Sequence, residues 1–228
     1  MADNWLQRQN ALIGEVATDK LRGNRVMVFG IGGVGSFVTE ALCRAGVGSL
    51  VLVDGDTVSE SNINRQLIAD TTTVGKYKAS VGAERVKIIN PDCDVHYEAV
   101  FADEGNTFSL LEKYSPDFIV DAIDRVSTKL LIAEWAYKHN TRIVSSMGTG
   151  NKLDVSKFRI DDIKKTSVCP LARVMRRELK NRGITGIPVL FSTEDPVKTG
   201  QRVPASISYV PSSAGLMIAG YVINELIK

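Results

Sequence analysis

A doubly wound, mostly parallel α/β sheet with helices on both faces is the fold class this sequence predicts, on three observations. From residue 24 short apolar runs alternate with segments of helical period, the pattern of parallel strands covered by helices. A glycine-rich turn separates the first apolar run from the first helical stripe. Hydrophobic residues make up 44% and charged residues 24% of the 228 positions, near the globular average and enough to bury a core without covalent staples. That balance excludes a disordered, collagenous or membrane-embedded chain.

The elements follow in order. Val26, Met27, Val28 and Phe29 read as the first buried strand. Beyond the turn, Val34, Phe37, Val38, Ala41, Leu42 and Ala45 recur at three- and four-residue steps, the stripe of a helix packed on that strand. Leu50, Val51, Leu52 and Val53 supply the second strand. A helix is predicted over 78–90, with Ala79, Ala83, Val86 and Ile89 on one face, and it stops at Asn90 because Pro91 disfavours helical geometry in the residue before it. Phe118-Ile119-Val120 and Ile143-Val144-Ser145 read as later strands with an apolar helix over 130–136 between them. After about residue 150 the alternation lapses.

The charge of that last part is uneven. Residues 157–202 hold eleven Lys and Arg against five Asp and Glu, a net +6 in a chain whose total is +2. Leu171, Val174, Met175 and Leu179 form an apolar stripe there, and Arg173, Arg176, Arg177 and Lys180 share the other side of the same helix. A polyanion-binding face and a plain solvated face both fit that pattern. Residues 214–227 are apolar nearly all round but shorter than the roughly 20 residues of a membrane span, so burial or subunit contact is expected.

Cys43, Cys93 and Cys169 are odd in number, far apart and form no C-x-x-C pair, which predicts a reducing compartment and no thiolate zinc site. His96 and His139 are too few and too separated for a histidine metal site. The opening MADNWLQRQN is polar, with Asp3 early, unlike an export signal; a cytoplasmic location and no membrane contact are the expectations.

Gly30-Ile31-Gly32-Gly33-Val34-Gly35 lies between the first strand and its helix, where the absence of side chains lets a phosphate chain approach backbone amides and a helix N-terminus. Asp54 follows nineteen residues after Gly35, at the end of the next strand, where a carboxylate holds ribose hydroxyls. Nicotinamide and ATP are equally served by these features. The next cluster separates them: Asp54-Gly55-Asp56, Ser61-Asn62-Ile63-Asn64-Arg65-Gln66 and Val74-Gly75-Lys76-Tyr77-Lys78. Hydride transfer develops no anionic charge that needs Arg65 and Lys78, whereas attack of a carboxylate on the α-phosphorus of ATP does. Asn62, Asn64 and Gln66 add neutral groups. Asp124, just beyond the Phe118 strand, is assigned to Mg²⁺, with a helix-capping role as its alternative; Asp121 reads as a cap of the next helix.

The pattern G-x-G-G-V-G-S, D-x-D, S-N-x-N-R-Q, V-G-x-x-K and D-x-x-D resembles the adenylating superfamily of ubiquitin-activating enzymes and the molybdopterin and thiamine adenylyltransferases, over roughly residues 8–150. The resemblance implies a Rossmann-like domain with Mg·ATP at Gly30, Gly32, Gly33 and Gly35, ribose at Asp54, phosphates at Arg65 and Lys78, and metal at Asp124. Arg8 matches the family's N-terminal arginine that reaches the neighbouring subunit's ATP site, implying a homodimer. The layout expected is an N-terminal helical arm over 1–23, an ATP-binding Rossmann-like region over 24–150, and a basic crossover and C-terminal segment over 151–228 packed on the same domain.

Without the two C-x-x-C pairs of the sulfur-carrier enzymes, and with Asp121-Ala122-Ile123-Asp124-Arg125-Val126, Pro170-Leu171-Ala172, Arg177-Glu178-Leu179-Lys180 and Phe191-Ser192-Thr193-Glu194, the chain looks like the tRNA threonylcarbamoyladenosine dehydratase branch. That branch adenylates the threonyl carboxylate of a modified adenosine in tRNA and closes a ring with release of AMP and pyrophosphate. Arg173, Arg176, Arg177 and Lys180 would then meet tRNA backbone. Cys169 stands where the branch commonly has Asp, and a packing role is favoured over a nucleophilic one. The alternative function is activation of the C-terminal Gly-Gly of a ubiquitin-like carrier, with a carrier or sulfur-relay protein as partner. A nicotinamide dehydrogenase and a non-catalytic, nucleotide-gated tRNA-binding module are the competing classes.

Overall fold

The computed structural model describes residues 5–228; Asp3 and the rest of 1–4 lie outside the described residues. Helices α1 (Gln7–Ile13) and α2 (Glu15–Arg22) come first, followed by β1 (Arg25–Phe29), α3 (Gly35–Arg44), β2 (Ser49–Val53), α4 (Lys78–Ile89) and β3 (Asp94–Glu98). The chain continues through α5 (Thr107–Tyr114), β4 (Phe118–Asp121), α6 (Val126–Lys138), β5 (Arg142–Ser146), β6 (Phe158–Asp162), α7 (Pro170–Asn181), β7 (Pro188–Ser192) and α8 (Tyr209–Ile227).

The strands form one seven-stranded sheet in the order β3-β2-β1-β4-β5-β7-β6. All neighbours are parallel except β6, which runs antiparallel to β7. Consecutive side chains of a strand point to opposite faces, so the all-apolar runs feed two cores. Val26, Val28, Leu50, Leu52 and Val120 pack with Val38 and Leu42 of α3, Val86 of α4 and Ile218 and Val222 of α8. Met27, Phe29, Val51, Val53 and Ile119 pack with Leu111 of α5, Ile132 and Trp135 of α6 and Met175 of α7. Burying one such side chain is worth about 1.5–3 kcal/mol, which is why central strands need no polar face.

The segment beyond residue 150 belongs to the same sheet, since β7 enters beside β5 and β6 closes the edge. The apolar stripe of α7 is centred on Ala172, Met175 and Leu179, with Leu171 and Val174 flanking it. Helix α8 begins at Tyr209, five residues before the expected start at 214, because Pro211 falls in its first turn, where no intrahelical N–H is required. Its 19 residues have a mean hydropathy of 1.3, and it packs on α3 and α2 within the fold.

Candidate active site

Strand order reverses between β1 and β4, and the carboxyl ends of β1, β2 and β4 open onto a cavity of about 520 Å³. This is where doubly wound sheets bind ligands. Gly30 and Gly32 come from the turn after β1, Asp54, Gly55 and Asp56 follow β2, and Ala122, Ile123 and Asp124 follow β4. The glycine turn is dictated by crowding. Gly30 has φ +86°, and a Cβ on it would lie 2.7 Å from the Ala122 carbonyl oxygen; a Cβ on Gly35 would lie 1.8 Å from the Gly30 oxygen. Gly33 packs against Pro211 at the start of α8, outside the cavity lining.

Asp54 ties the turn to the strand ends. Its carboxylate accepts the backbone N–H of Ile31 at 2.6 Å and of Asp56 at 2.8 Å. Burial pushes its carboxyl up, opposed by those two N–H donors and by the charge of Lys78. Lys78 is the first residue of α4 and is buried, and its ammonium is 2.9 Å from the exposed carboxylate of Asp56. Arg65 is held at the cavity by donating to the Ser61 carbonyl and the Asn64 side-chain oxygen, both at 2.8 Å. Asn64 supports Arg65 rather than lining the cavity itself, and it donates to the Ser206 carbonyl at 3.2 Å. Asn62 is buried in the cavity wall and closes a capping box with Ser59.

Two observations fit this cavity to a nucleotide. Gln66 is buried in its lining with a side-chain oxygen that has no partner in the protein, an acceptor left for a ligand hydroxyl or amine. The turn at Gly30 and Gly32 leaves room a side chain would fill. Among the described residues no group of three or more His, Cys, Asp or Glu could hold a metal by itself. That donor set suits a Mg²⁺ taken by Asp124 together with nucleotide phosphates, and not an all-protein cage. Asp124 is exposed in the lining, and the cap of α6 is Arg125, with no side-chain capping bond.

Sequence reasoning missed several contributors. Val100 and Phe101, beyond β3, line the cavity with 38% and 56% of their surface exposed, an apolar wall suited to a flat base. Their signal was an apolar pair with no helix or strand to bury it. Arg125 adds a third cation to the rim. Asp121 is a correction: it does not cap α6 but is fully buried in an ion pair with Lys129 at 2.9 Å.

Arg8 lies exposed on α1 and is absent from the lining of its own chain's cavity. On α7, Arg173, Arg177 and Lys180 are exposed, Arg177 pairing with Glu178 at 3.0 Å. Arg176 is half-buried and tethers the helix by donating to the Thr166 carbonyl at 2.8 Å, which removes it from the free cationic face. Cys169 is buried in the second core at the N-cap of α7.

Taken with the sheet reversal, these positions define a mononucleotide-binding α/β protein whose fixed cations are placed for phosphate chemistry. Residues 6–228 match the ThiF family model, and the chain belongs to the ThiF family. It is 38% identical to the tRNA threonylcarbamoyladenosine dehydratase of Bacillus subtilis over 97% of this chain and 94% of that one. It is 35% identical to the Escherichia coli dehydratase over 85% and 76% of the two chains. The crystal structure of the E. coli dehydratase with ATP superposes with a TM-score of 0.91 at 32% identity, covering 99% of this chain and 96% of that one. A fungal adenylyltransferase and sulfurtransferase from Vanderwaltozyma polyspora is 33% identical over 60% of this chain and 31% of its own.

Proposed function

We propose that this chain is an ATP-dependent tRNA threonylcarbamoyladenosine dehydratase. The observation that carries it is full-length similarity to enzymes of that name, one of them crystallised with ATP, combined with a cavity that holds Arg65, Lys78 and Asp124 together. In the first step an oxygen of the threonyl carboxylate attacks the α-phosphorus of ATP and pyrophosphate leaves. Arg65 and Lys78 offset the charge that builds on the phosphate oxygens. Asp54 orients the nucleotide through its ribose. Asp124 would hold Mg²⁺ against the phosphates, where the ion supplies further charge neutralisation. In the second step a substrate amide nitrogen attacks the acyl carbon, AMP departs with the former carboxylate oxygen, and the nitrogen's proton passes to solvent. The net change in the nucleoside is loss of water.

Carrier activation is less well supported, because the fungal sulfurtransferase relative shares only part of the chain and this sequence lacks the C-x-x-C pairs. Release of AMP and pyrophosphate that depends on tRNA bearing the modified adenosine supports the dehydratase; release that depends on a ubiquitin-like carrier and not on tRNA overturns it. The homodimer belongs to the same proposal. Leu12 and Val16 beside Arg8 are 85% and 75% exposed, an apolar surface for a second subunit that would bring Arg8 to the neighbouring site. Mixed dimers of Arg8→Ala and Lys78→Met subunits should recover activity if Arg8 acts in trans, and should stay inactive if it does not. A reducing, cytoplasmic setting accords with the three free cysteines.

A further inference from the structure

Behind the cavity floor lies a charge pair that takes no part in the two steps above. Lys129 of α6 and Asp121 at the end of β4 are both buried, their charged groups 2.9 Å apart. The same ammonium donates to the carbonyl oxygens of Ile123 at 3.0 Å and Ser146 at 2.8 Å. Its three protons therefore end on three segments: β4, the turn after it and the end of β5. Asp121 is filled in its turn by the Ser145 hydroxyl at 2.6 Å and the Ile123 backbone N–H at 3.2 Å. Ile123 is fixed at both its N–H and its carbonyl, and the next residue is Asp124.

The same turn supports the glycine loop. Ala122 donates its N–H to Phe29 at 2.8 Å, and its carbonyl is the atom a Cβ on Gly30 would strike. Stability alone does not call for such a pair, because desolvating two ions offsets their attraction and apolar residues of equal volume often stabilise as well or better. An apolar side chain cannot, however, pin a carboxylate and two carbonyls from one point.

We infer that Lys129, working through Asp121, is a positioning residue for Asp124: it sets the backbone from which that carboxylate meets the nucleotide-bound divalent cation. The inference rests on the reading of Asp124 as the metal carboxylate, and the test separates the two. Mn²⁺ affinity of the protein saturated with a non-hydrolysable ATP analogue is read from the free-Mn²⁺ EPR signal, alongside thermal melting, metal-free analogue affinity, kcat and KM. The variants are Asp124→Asn, Ser145→Ala and the charge-neutral Asp121→Asn/Lys129→Met. Asp124→Asn is expected to weaken Mn²⁺ about tenfold or more. The double variant is expected to melt cooperatively, bind the analogue without metal as the wild type does, weaken Mn²⁺ by about tenfold, and lose kcat with little change in KM. Ser145→Ala should shift Mn²⁺ affinity in the same direction by about two- to threefold, and it decides the matter if the double variant does not fold. Wild-type Mn²⁺ affinity in the folded double variant, or in Ser145→Ala when that variant decides, overturns the inference if Asp124→Asn is impaired. Wild-type affinity in Asp124→Asn overturns the metal reading, and the positioning role with it.

Discussion

Lys78 and Arg65 do different work with the same charge. Lys78 is a buried point charge at the start of a helix, already paired with Asp56, while Arg65 presents a planar fork braced by Ser61 and Asn64. Lys78→Met should leave the melting temperature near that of the wild type and lower kcat by about 10²–10³, the cost of removing one transition-state charge contact. Rapid-quench measurement of AMP formation checks this. At Asp54 the raised carboxyl pKa means the fold favours the protonated form. Its contribution to stability is therefore present at low pH and is lost as pH rises from the unfolded-state value through the folded one, while the ionised form needed by ribose hydroxyls is complete only above the folded value. Nucleotide affinity should accordingly fall on acidification at a higher pH than an ordinary aspartate allows. Asp54→Asn should bind weakly and lose that dependence, leaving the nucleotide's own titration, as calorimetry across pH can show. These roles were legible because Asp54, Arg65 and Lys78 sit at fixed distances from a glycine turn. The brace at Asn64 and the pair at Asp121 were not, since each depends on partners that only the tertiary fold supplies.

At the scale of elements, the glycine turn and the start of α3 are one object. Gly35→Ala would place its Cβ 1.8 Å from the Gly30 oxygen, so either the turn opens or α3 shifts. ATP binding should be lost and thermal stability lowered, both measurable on purified protein by calorimetry and melting; unchanged ATP affinity would refute the tight-turn account. The central strands β1, β2 and β4 could be read from the sequence because burial on both faces makes them continuously apolar. The edge strands β3, Asp-Val-His-Tyr-Glu, and β6, Phe-Arg-Ile-Asp-Asp, could not, because an edge is partly solvated and carries charge. Missing them hid the continuation of the sheet past residue 150, where β7 is apolar but follows a basic helix.

Across the whole molecule, a net charge of +2 conceals a strongly basic stretch over 157–202. With Arg176 committed to Thr166, the exposed members of the α7 set are Arg173, Arg177 and Lys180. Reversing all three to Glu should raise the KM for tRNA and steepen its loss with salt, while ATP affinity stays unchanged, because phosphate contacts are long-range and salt-sensitive. An unchanged KM would return this face to ordinary solvation. The exposed apolar residues of α1 and α2 point in turn to a second copy, which joins Arg8 to a site its own chain does not complete.

The central claim, that this cavity splits ATP to dehydrate a nucleoside in tRNA, is tested most directly by mass spectrometry of nucleosides. Transfer RNA carrying threonylcarbamoyladenosine, incubated with the protein and Mg·ATP and then digested, should yield the nucleoside lighter by one water. AMP should form in equal amount, and neither product should form with Arg65→Ala. An unchanged nucleoside, from protein that binds ATP and releases pyrophosphate with a ubiquitin-like carrier, would contradict the account.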